Sequence, residues 1–277
     1  MKTVVITGAT SGIGNELVKG FVTQGCKVFA GYRNVKFKKE LKLISENVIP
    51  FYIDMSKKWT ISDAVKNILG ELGEDGKIDT LINAAGGVVA GPMECLSIDK
   101  IREQFEVNTF SHLDLTQGLY EKLQGGKIIN LSSEASFGIF PFVAPYCASK
   151  RALDILFNLM EVECGGDVKV ISIKPGVIKT PLWGKSIEKN KDILGGNTKY
   201  EKEFNYLMKN AEKNKNKGLE AQKVADFIIK IEGLEKPKAS YTIGMDAKFA
   251  EILSHLPQNW INWLVKKSLA IRISKLK

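Results

Sequence analysis

Tyr146 and Lys150 stand four residues apart, a spacing that puts a phenol and an ammonium on one face of a helix. A free tyrosine titrates far above neutrality, so it moves protons at pH 7 only where a nearby cation stabilises its phenolate. The spacing therefore predicts an unusually acidic phenol with Lys150 as its counter-charge. Alone the pair says little, because seven tyrosines in a lysine-rich chain produce it by chance, and Tyr32 with Lys36 repeats it beside a β-type run. Company separates the two. Ser132 and Ser133 close another apolar run, and Ser133 precedes Tyr146 by thirteen residues. A hydroxyl and a phenol can then converge as donors on one substrate oxygen.

A second group of residues suits phosphate. Thr7, Gly8, Ala9, Thr10, Ser11, Gly12, Ile13 and Gly14 follow the first apolar run and open the first amphipathic one. Glycines there allow a tight turn and bring backbone N–H groups to a pyrophosphate at the positive end of a helix; an ordinary strand-to-helix turn is the alternative. After the second apolar run come Tyr32, Arg33 and Asn34. A carboxylate in that place binds a ribose 2′-hydroxyl and a guanidinium accepts a 2′-phosphate. Arg33 thus points to NADP, with NAD as the alternative if Arg33 only faces solvent. Asp54 and Met55 end the third run, and Asp54 either borders a nucleotide or caps the next turn.

Elements must position these groups. Short β-branched runs alternate with longer amphipathic segments, the signature of βαβ units in a parallel sheet. Strands are expected at 3–7, 27–31, 48–53, 80–83, 127–131, 168–174 and 240–243, and helices at 12–23, 37–45, 61–72, 98–123, 145–163 and 221–232. The fold class is α/β: a doubly wound, Rossmann-type parallel sheet of about seven strands with helices on both faces, whose ligands lie beyond the C-terminal strand ends. Residues 1–245 form one catalytic domain, with a lid at about 181–218 in which Phe204, Leu207 and Met208 give a helix an apolar stripe. Residues 246–277 form a basic amphipathic extension.

The stretch Asn130, Leu131, Ser132, Ser133 through Tyr146, Cys147, Ala148, Ser149, Lys150, together with the spacing of Gly8, Gly12 and Gly14, resembles the short-chain dehydrogenase/reductase family from Thr3 to about Thr180. Tyr241 to Lys248 look like its hydroxysteroid and retinoid-dehydrogenase branch. The resemblance implies an oxidoreductase interconverting a carbonyl and an alcohol on an apolar small molecule, with a catalytically silent dinucleotide sensor or scaffold as the alternative. By the same resemblance, Tyr146 passes the proton, Ser133 binds the substrate oxygen, Lys150 holds the nicotinamide ribose, and Asn108, mid-helix, anchors a water beneath Lys150. Asp54 and Met55 would meet the adenine. Asn83, Ala84, Ala85 and Gly86 match the family's stretch after strand four, with Asn83 also structural. Pro175, Gly176, Val177, Ile178 and Thr180 resemble the segment at the nicotinamide carboxamide, a plain proline-glycine turn being the alternative. A homodimer or homotetramer through the 98–123 and 145–163 helices is implied as well.

Composition sets the outer limits. With 44% hydrophobic and 26% charged residues the chain is an ordinary globular protein. A net charge of +9 invites a nucleic-acid reading. The lysines are dispersed, however, and only Arg33, Arg102, Arg151 and Arg272 are arginines, so no nucleic-acid partner is expected. Part of the excess sits in the tail, where Lys266, Lys267, Arg272, Lys275 and Lys277 accompany no acid. There Ile261, Leu264, Val265 and Leu269 share a face near Trp260 and Trp263, which fits either a helix docked on protein or a peripheral membrane contact. Cys26, Cys95, Cys147 and Cys164 show no metal-ligand spacing, so no metal is expected, and with no secretory signal the chain reads as cytoplasmic.

Overall fold

A computed structural model describes residues 1–179, 198–216 and 218–274. Seven strands, β1 (Thr3–Ile6), β2 (Lys27–Tyr32), β3 (Val48–Tyr52), β4 (Thr80–Asn83), β5 (Lys127–Leu131), β6 (Lys169–Pro175) and β7 (Ser240–Ile243), form one parallel sheet in the order β3-β2-β1-β4-β5-β6-β7. The chain winds outward from β1 to β3, then crosses back and builds from β4 to β7. The reversal lies between β1 and β4, where a doubly wound sheet opens a crevice for ligand.

The strands are apolar on both faces, as a buried parallel sheet requires. Val4, Ile6, Val28 and Ala30 pack on one side, against α1 (Gly12–Thr23) and α8 (Ala221–Glu232). Val5, Phe29, Leu81 and Ile128 face the other side, against α3 (Lys58–Leu72), α5 (Ser111–Leu119) and α6 (Ala144–Glu163). The period-two alternation of these side chains fixes the register, since a one-residue slip would exchange the two faces.

Helices α1 and α8 carry the expected bounds, while α2 is shorter (Phe37–Lys42) and α3 begins at Lys58. The single helix expected over 98–123 is divided: α4 (Ile98–Phe105), a π-turn at Glu106–Phe110, α5, then a 3₁₀ turn at Tyr120–Leu123. The extra residue of a π-turn rotates the following side chains. Here both Asn108 and Thr109 are buried, and both bond to Ser149 of α6.

Of the expected lid, residues 181–197 and 217 lie outside the described residues, as does Thr180. The remainder includes α7 (Glu201–Asn216). After β7 come α9 (Met245–Leu253) and α10 (Gln258–Ser274). Helix α9 packs on the turn Glu134–Phe137 that follows β5, and α10 lies against α7, with Arg272 Nη1 donating to Tyr206 Oη at 2.9 Å. In α10 Ile261 is buried and Leu264, Val265 and Leu269 are half-buried, whereas Trp260 and Trp263 are exposed. The expected apolar face thus turns towards protein, with the two tryptophans off it. Among the described residues no helix is long and apolar enough to cross a membrane.

Candidate active site

A cleft runs along the C-terminal edge of the sheet, and the strand order sets the sequence of groups along it. Arg33 follows β2, Gly8 to Gly14 follow β1, Ala84 to Gly87 follow β4, Ser132 to Glu134 follow β5, and Pro175 to Ile178 belong to β6 and its exit. The wall between β1 and α1 is a backbone cradle. Gly8 has φ +67°, and a Cβ there would lie 2.9 Å from Ala85 Cα. A Cβ on Gly14 would run into the Gly8 carbonyl. The N-terminus of α1 has no acid in its first turn, and the Ser11 side chain makes no cap. Free N–H groups, a helix dipole and space kept open by missing side chains suit a pyrophosphate. The residues therefore fit a dinucleotide.

Most of the expected binding residues line this cleft: Gly8, Thr10, Ser11, Gly12, Ile13, Gly14, Arg33, Asp54, Met55, Ala84, Ala85, Gly86, Pro175, Gly176, Val177 and Ile178. Asn34 does not. Its Oδ1 instead accepts from Lys36 N at 3.1 Å, the local side-chain turn that short amides favour. Asp54 lines the cleft, and its Oδ1 accepts from Ser56 N at 3.1 Å and Ser56 Oγ at 2.8 Å, the local turn that its sequence position allowed. Arg33 is exposed at the mouth.

Ser133, Tyr146 and Lys150 meet in the same cleft. The Ser133 hydroxyl lies near enough to the Tyr146 phenol to favour its ionised form, and Lys150 Nζ donates to the Leu131 carbonyl at 2.7 Å. Helix α6 brings the phenol and the amine to one face, and the end of β5 supplies both the serine and the carbonyl that pins the amine. The acidic phenol expected from the sequence is not what the geometry gives. Burial pushes Tyr146 up to about 12, the nearby Ser133 hydroxyl pulls it down, and Cys147 and Glu134 add to the rise. Burial also pulls Lys150 down to about 8, with Asp154 opposing. The physical reason is desolvation, which disfavours the charged form of each group. In this dry pocket it outweighs a counter-charge one turn away.

Asn108 sits behind this pair and does not line the cleft. Its Oδ1 accepts from Gly87 N at 2.9 Å, and its Nδ2 donates to Gly87 O at 3.0 Å and Ser149 Oγ at 3.1 Å. A Cβ on Gly86 would lie 3.3 Å from Asn108 Oδ1 and 3.6 Å from Lys150 Nζ, so the amide and the amine flank one glycine. Asn83 is likewise internal, donating from Nδ2 to Asn130 Oδ1 at 2.8 Å. The structure adds His112, which the sequence did not single out. Its ring nitrogens lie 3.1 Å from Asn83 Oδ1 and 2.9 Å from the Ala85 carbonyl, and burial lowers it to about 3, with Lys150 adding to the fall. A neutral imidazole thus ties α5 to the loop after β4. Also new are Glu134, Gly31, Ile53, Gly87, Val107, Leu131 and Ser132 in the lining. Glu134 stands next to Ser133, and that adjacency was the one signal available for it.

The family model for short chain dehydrogenase matches residues 2–191. The chain belongs to the short chain dehydrogenase family. This short chain dehydrogenase is 31% identical over 256 residues to the NADPH-dependent 3-dehydrocapnine reductase of Ornithobacterium rhinotracheale, covering 88% of each chain. It is 28% identical over 279 residues to the 3-ketodihydrosphingosine reductase of Bacteroides thetaiotaomicron, covering 97% of this chain and 98% of the other. A crystal structure of a short-chain dehydrogenase from Streptomyces avermitilis superposes with a TM-score of 0.77 at 22% identity, over 100% of this chain and 98% of that one. The family comprises oxidoreductases that use a nicotinamide dinucleotide on small molecules carrying a carbonyl or an alcohol.

Proposed function

We propose that this short chain dehydrogenase is an NADPH-dependent reductase that converts a ketone on an apolar small molecule to a secondary alcohol. The observation that carries the reading is that Ser133, Tyr146 and Lys150 line one wall of the dinucleotide-shaped cleft together. The bound dinucleotide supplies the hydride. Ser133 and Tyr146 both direct hydroxyls at the position of the carbonyl oxygen, where negative charge develops. Tyr146, protonated at neutral pH, gives its proton to that oxygen. Lys150, fixed by the Leu131 carbonyl, would hold the ribose, and Asn108 is a positioning residue that holds the Gly86–Gly87 floor below it. Thr180 is assigned to the nicotinamide carboxamide from its sequence position.

The preference for NADPH rests on Arg33 at the cleft mouth, where the chain offers no carboxylate after β2, and on the relative named as NADPH-dependent. The apolar substrate rests on the two reductases named above. Assembly as a homodimer or homotetramer is supported by apolar side chains that α6 leaves exposed, Ile155, Leu156, Leu159 and Val162, with Ile98 of α4 and Phe110. The test is direct. Binding of NADPH and NADH to the wild type and to Arg33→Asp is measured by fluorescence titration. The wild type should favour NADPH by about tenfold or more, the scale of a charge-assisted bond, and the variant should lose that margin. Tighter NADH binding by the wild type overturns the cofactor assignment.

A further inference from the structure

A polar layer interrupts the core between α6 and the sheet. Deeper in, the two meet through Ile128, Val170, Leu153 and Phe157. Towards the C-terminal strand ends the same face carries Asn130, Ser172, Lys174 and Thr242 instead. Asn130 pairs with Ser172 across β5 and β6, Lys174 pairs with Thr242 across β6 and β7, and alternate residues of a strand share a face. On α6, Lys150, Asp154 and Asn158 follow at intervals of four and so form one stripe. Lys150 Nζ reaches the Leu131 carbonyl of β5, and Asp154 Oδ2 lies 3.4 Å from Lys174 Nζ of β6. Among the described residues, both Asp154 oxygens, Asn158 Oδ1, Asn130 Nδ2, Ser172 Oγ and Thr242 Oγ1 are buried with no hydrogen-bond partner.

A buried ion pair without supporting hydrogen bonds costs stability relative to apolar side chains of the same shape. The layer therefore asks for a use, and it begins at one of the three residues that meet in the cleft. We propose that Asp154, held in place by Lys174, is a positioning residue for the reaction, which keeps the Lys150 amine charged beside Tyr146. The inference rests on the reductase reading above for its kinetic consequence, and on the packing of α6 against β5 and β6 for the charge itself.

Geometry puts the carboxylate within range of the amine. Lys150 and Asp154 are 5% and 1% exposed, and side chains four apart on a helix have Cβ atoms about 5–6 Å from each other. The Leu131 carbonyl that fixes Nζ at 2.7 Å belongs to the residue paired with Ile173, the neighbour of Lys174, so the amine and the ion pair share one end of β5 and β6. Salt screens buried charges at that range far less than surface ones. The remaining groups facing Lys150 supply no such charge. His112 on α5 is neutral, Asn108 in the π-turn is an amide, and Glu134 after β5 acts on the Tyr146 phenol. Lys174 is the cation on the far side of the carboxylate. The Asp154 charge works against the burial that strips Lys150 of its proton.

The experiment titrates Lys150 directly. Its Cε resonance is followed by NMR in lysine-labelled protein without added dinucleotide, and is identified by its loss in Lys150→Met. Asp154→Asn, nearly isosteric, should lower the midpoint by about one pH unit. With decan-3-one and NADPH, the alkaline decline of the variant should move equally, so that the ratio of kcat/KM at pH 6 to that at pH 8 grows about fivefold over the wild type. An ion pair that only ties β6 to α6 would change stability and leave both midpoints in place, and that result overturns the proposal. A midpoint that rises overturns it too, as does one that falls while the kinetic decline stays put. If Asp154→Asn fails to fold, the double variant Asp154→Asn/Lys174→Met removes both buried charges together and should show the same fall. An unmoved midpoint there overturns the proposal equally. A midpoint that falls in a protein that reduces no ketone supports the hold of Asp154 on the amine, and only the reductase reading fails.

Discussion

Lys150→Met should make the protein more stable while removing its activity. Lys150 is 5% exposed, and burial holds its amine at about 8 against an ordinary value of 10.5. At about 1.4 kcal/mol per tenfold, that difference means the folded state bears about 3 kcal/mol for keeping the ammonium at pH 7. Methionine has a similar shape and no charge. It also leaves the Leu131 carbonyl without the 2.7 Å bond it receives from Nζ, a loss of about 1–2 kcal/mol. The net gain is about 1–2 kcal/mol, or a rise in Tm of roughly 2–8 °C for a chain of this size. The sign with pH is fixed, because the folded value lies below the unfolded one. The cost is complete below about 8 and fades as pH climbs towards 10.5. Scanning calorimetry of both proteins without added dinucleotide, at pH 7 and pH 10, is the assay. The advantage of the variant should shrink at the higher pH. A variant less stable than the wild type at pH 7, or an advantage that grows with pH, would refute the claim that desolvation dominates this pocket.

Three further outcomes follow from the same geometry. Acidification should cost the wild type stability through His112, which is held at about 3 when folded and ordinarily titrates near 6.5. The unfolded chain takes up the proton first, so stability falls as pH drops from about 6.5 towards 3, by about 1.4 kcal/mol per unit, and urea titrations of His112→Gln should lack this component. Gly8→Ala, forced into φ +67° with a Cβ 2.9 Å from Ala85 Cα, should lower NADPH affinity by about tenfold or more in the same fluorescence titration. Ile261→Ala should cost about 2–4 kcal/mol by urea unfolding, whereas Trp260→Ala should cost under about 1 kcal/mol, because only the first side chain is buried.

The strands, and α1 and α8 to the residue, were legible because apolar runs broken by glycine have few other folds open to them. The glycine cradle and the meeting of Ser133, Tyr146 and Lys150 were legible from order and spacing, since the C-terminal strand ends of a parallel sheet converge on one edge. The π-turn at Glu106–Phe110 was not, because nothing in the apolar periodicity of 98–123 reports a one-residue insertion. What stabilises it is tertiary, the bonds from Asn108 and Thr109 to Ser149. His112 escaped for a related reason. A histidine among helical residues has no local mark of burial, and its partners Asn83 and Ala85 are 29 and 27 residues away in sequence. Asn34 lies off the cleft lining because adjacency to Arg33 is not orientation, and its short amide found a backbone N–H two residues on. The acidity of Tyr146 misled most. Spacing reports a counter-charge but not the water that the neighbouring helices exclude.

That exclusion bears on how each direction of the reaction depends on pH. To reduce a ketone, Tyr146 must hold its proton at the start, and a phenol at about 12 does so throughout the neutral range. To oxidise an alcohol it must start as phenolate, which at pH 7 is rarer by about five powers of ten. Reduction should therefore be insensitive to the phenol between pH 6 and 8 and decline above about 8, where Lys150 loses its charge. Over the same lower range, oxidation should rise close to tenfold per pH unit. The two slopes are mutually consistent, since reduction consumes one proton from solvent and the equilibrium constant must move tenfold per unit. Initial rates in both directions under kcat/KM conditions separate the contributions. A reduction rate that fell tenfold per unit from pH 6, with oxidation flat, would mean that the phenol is acidic after all and that Lys150, not burial, sets its proton affinity.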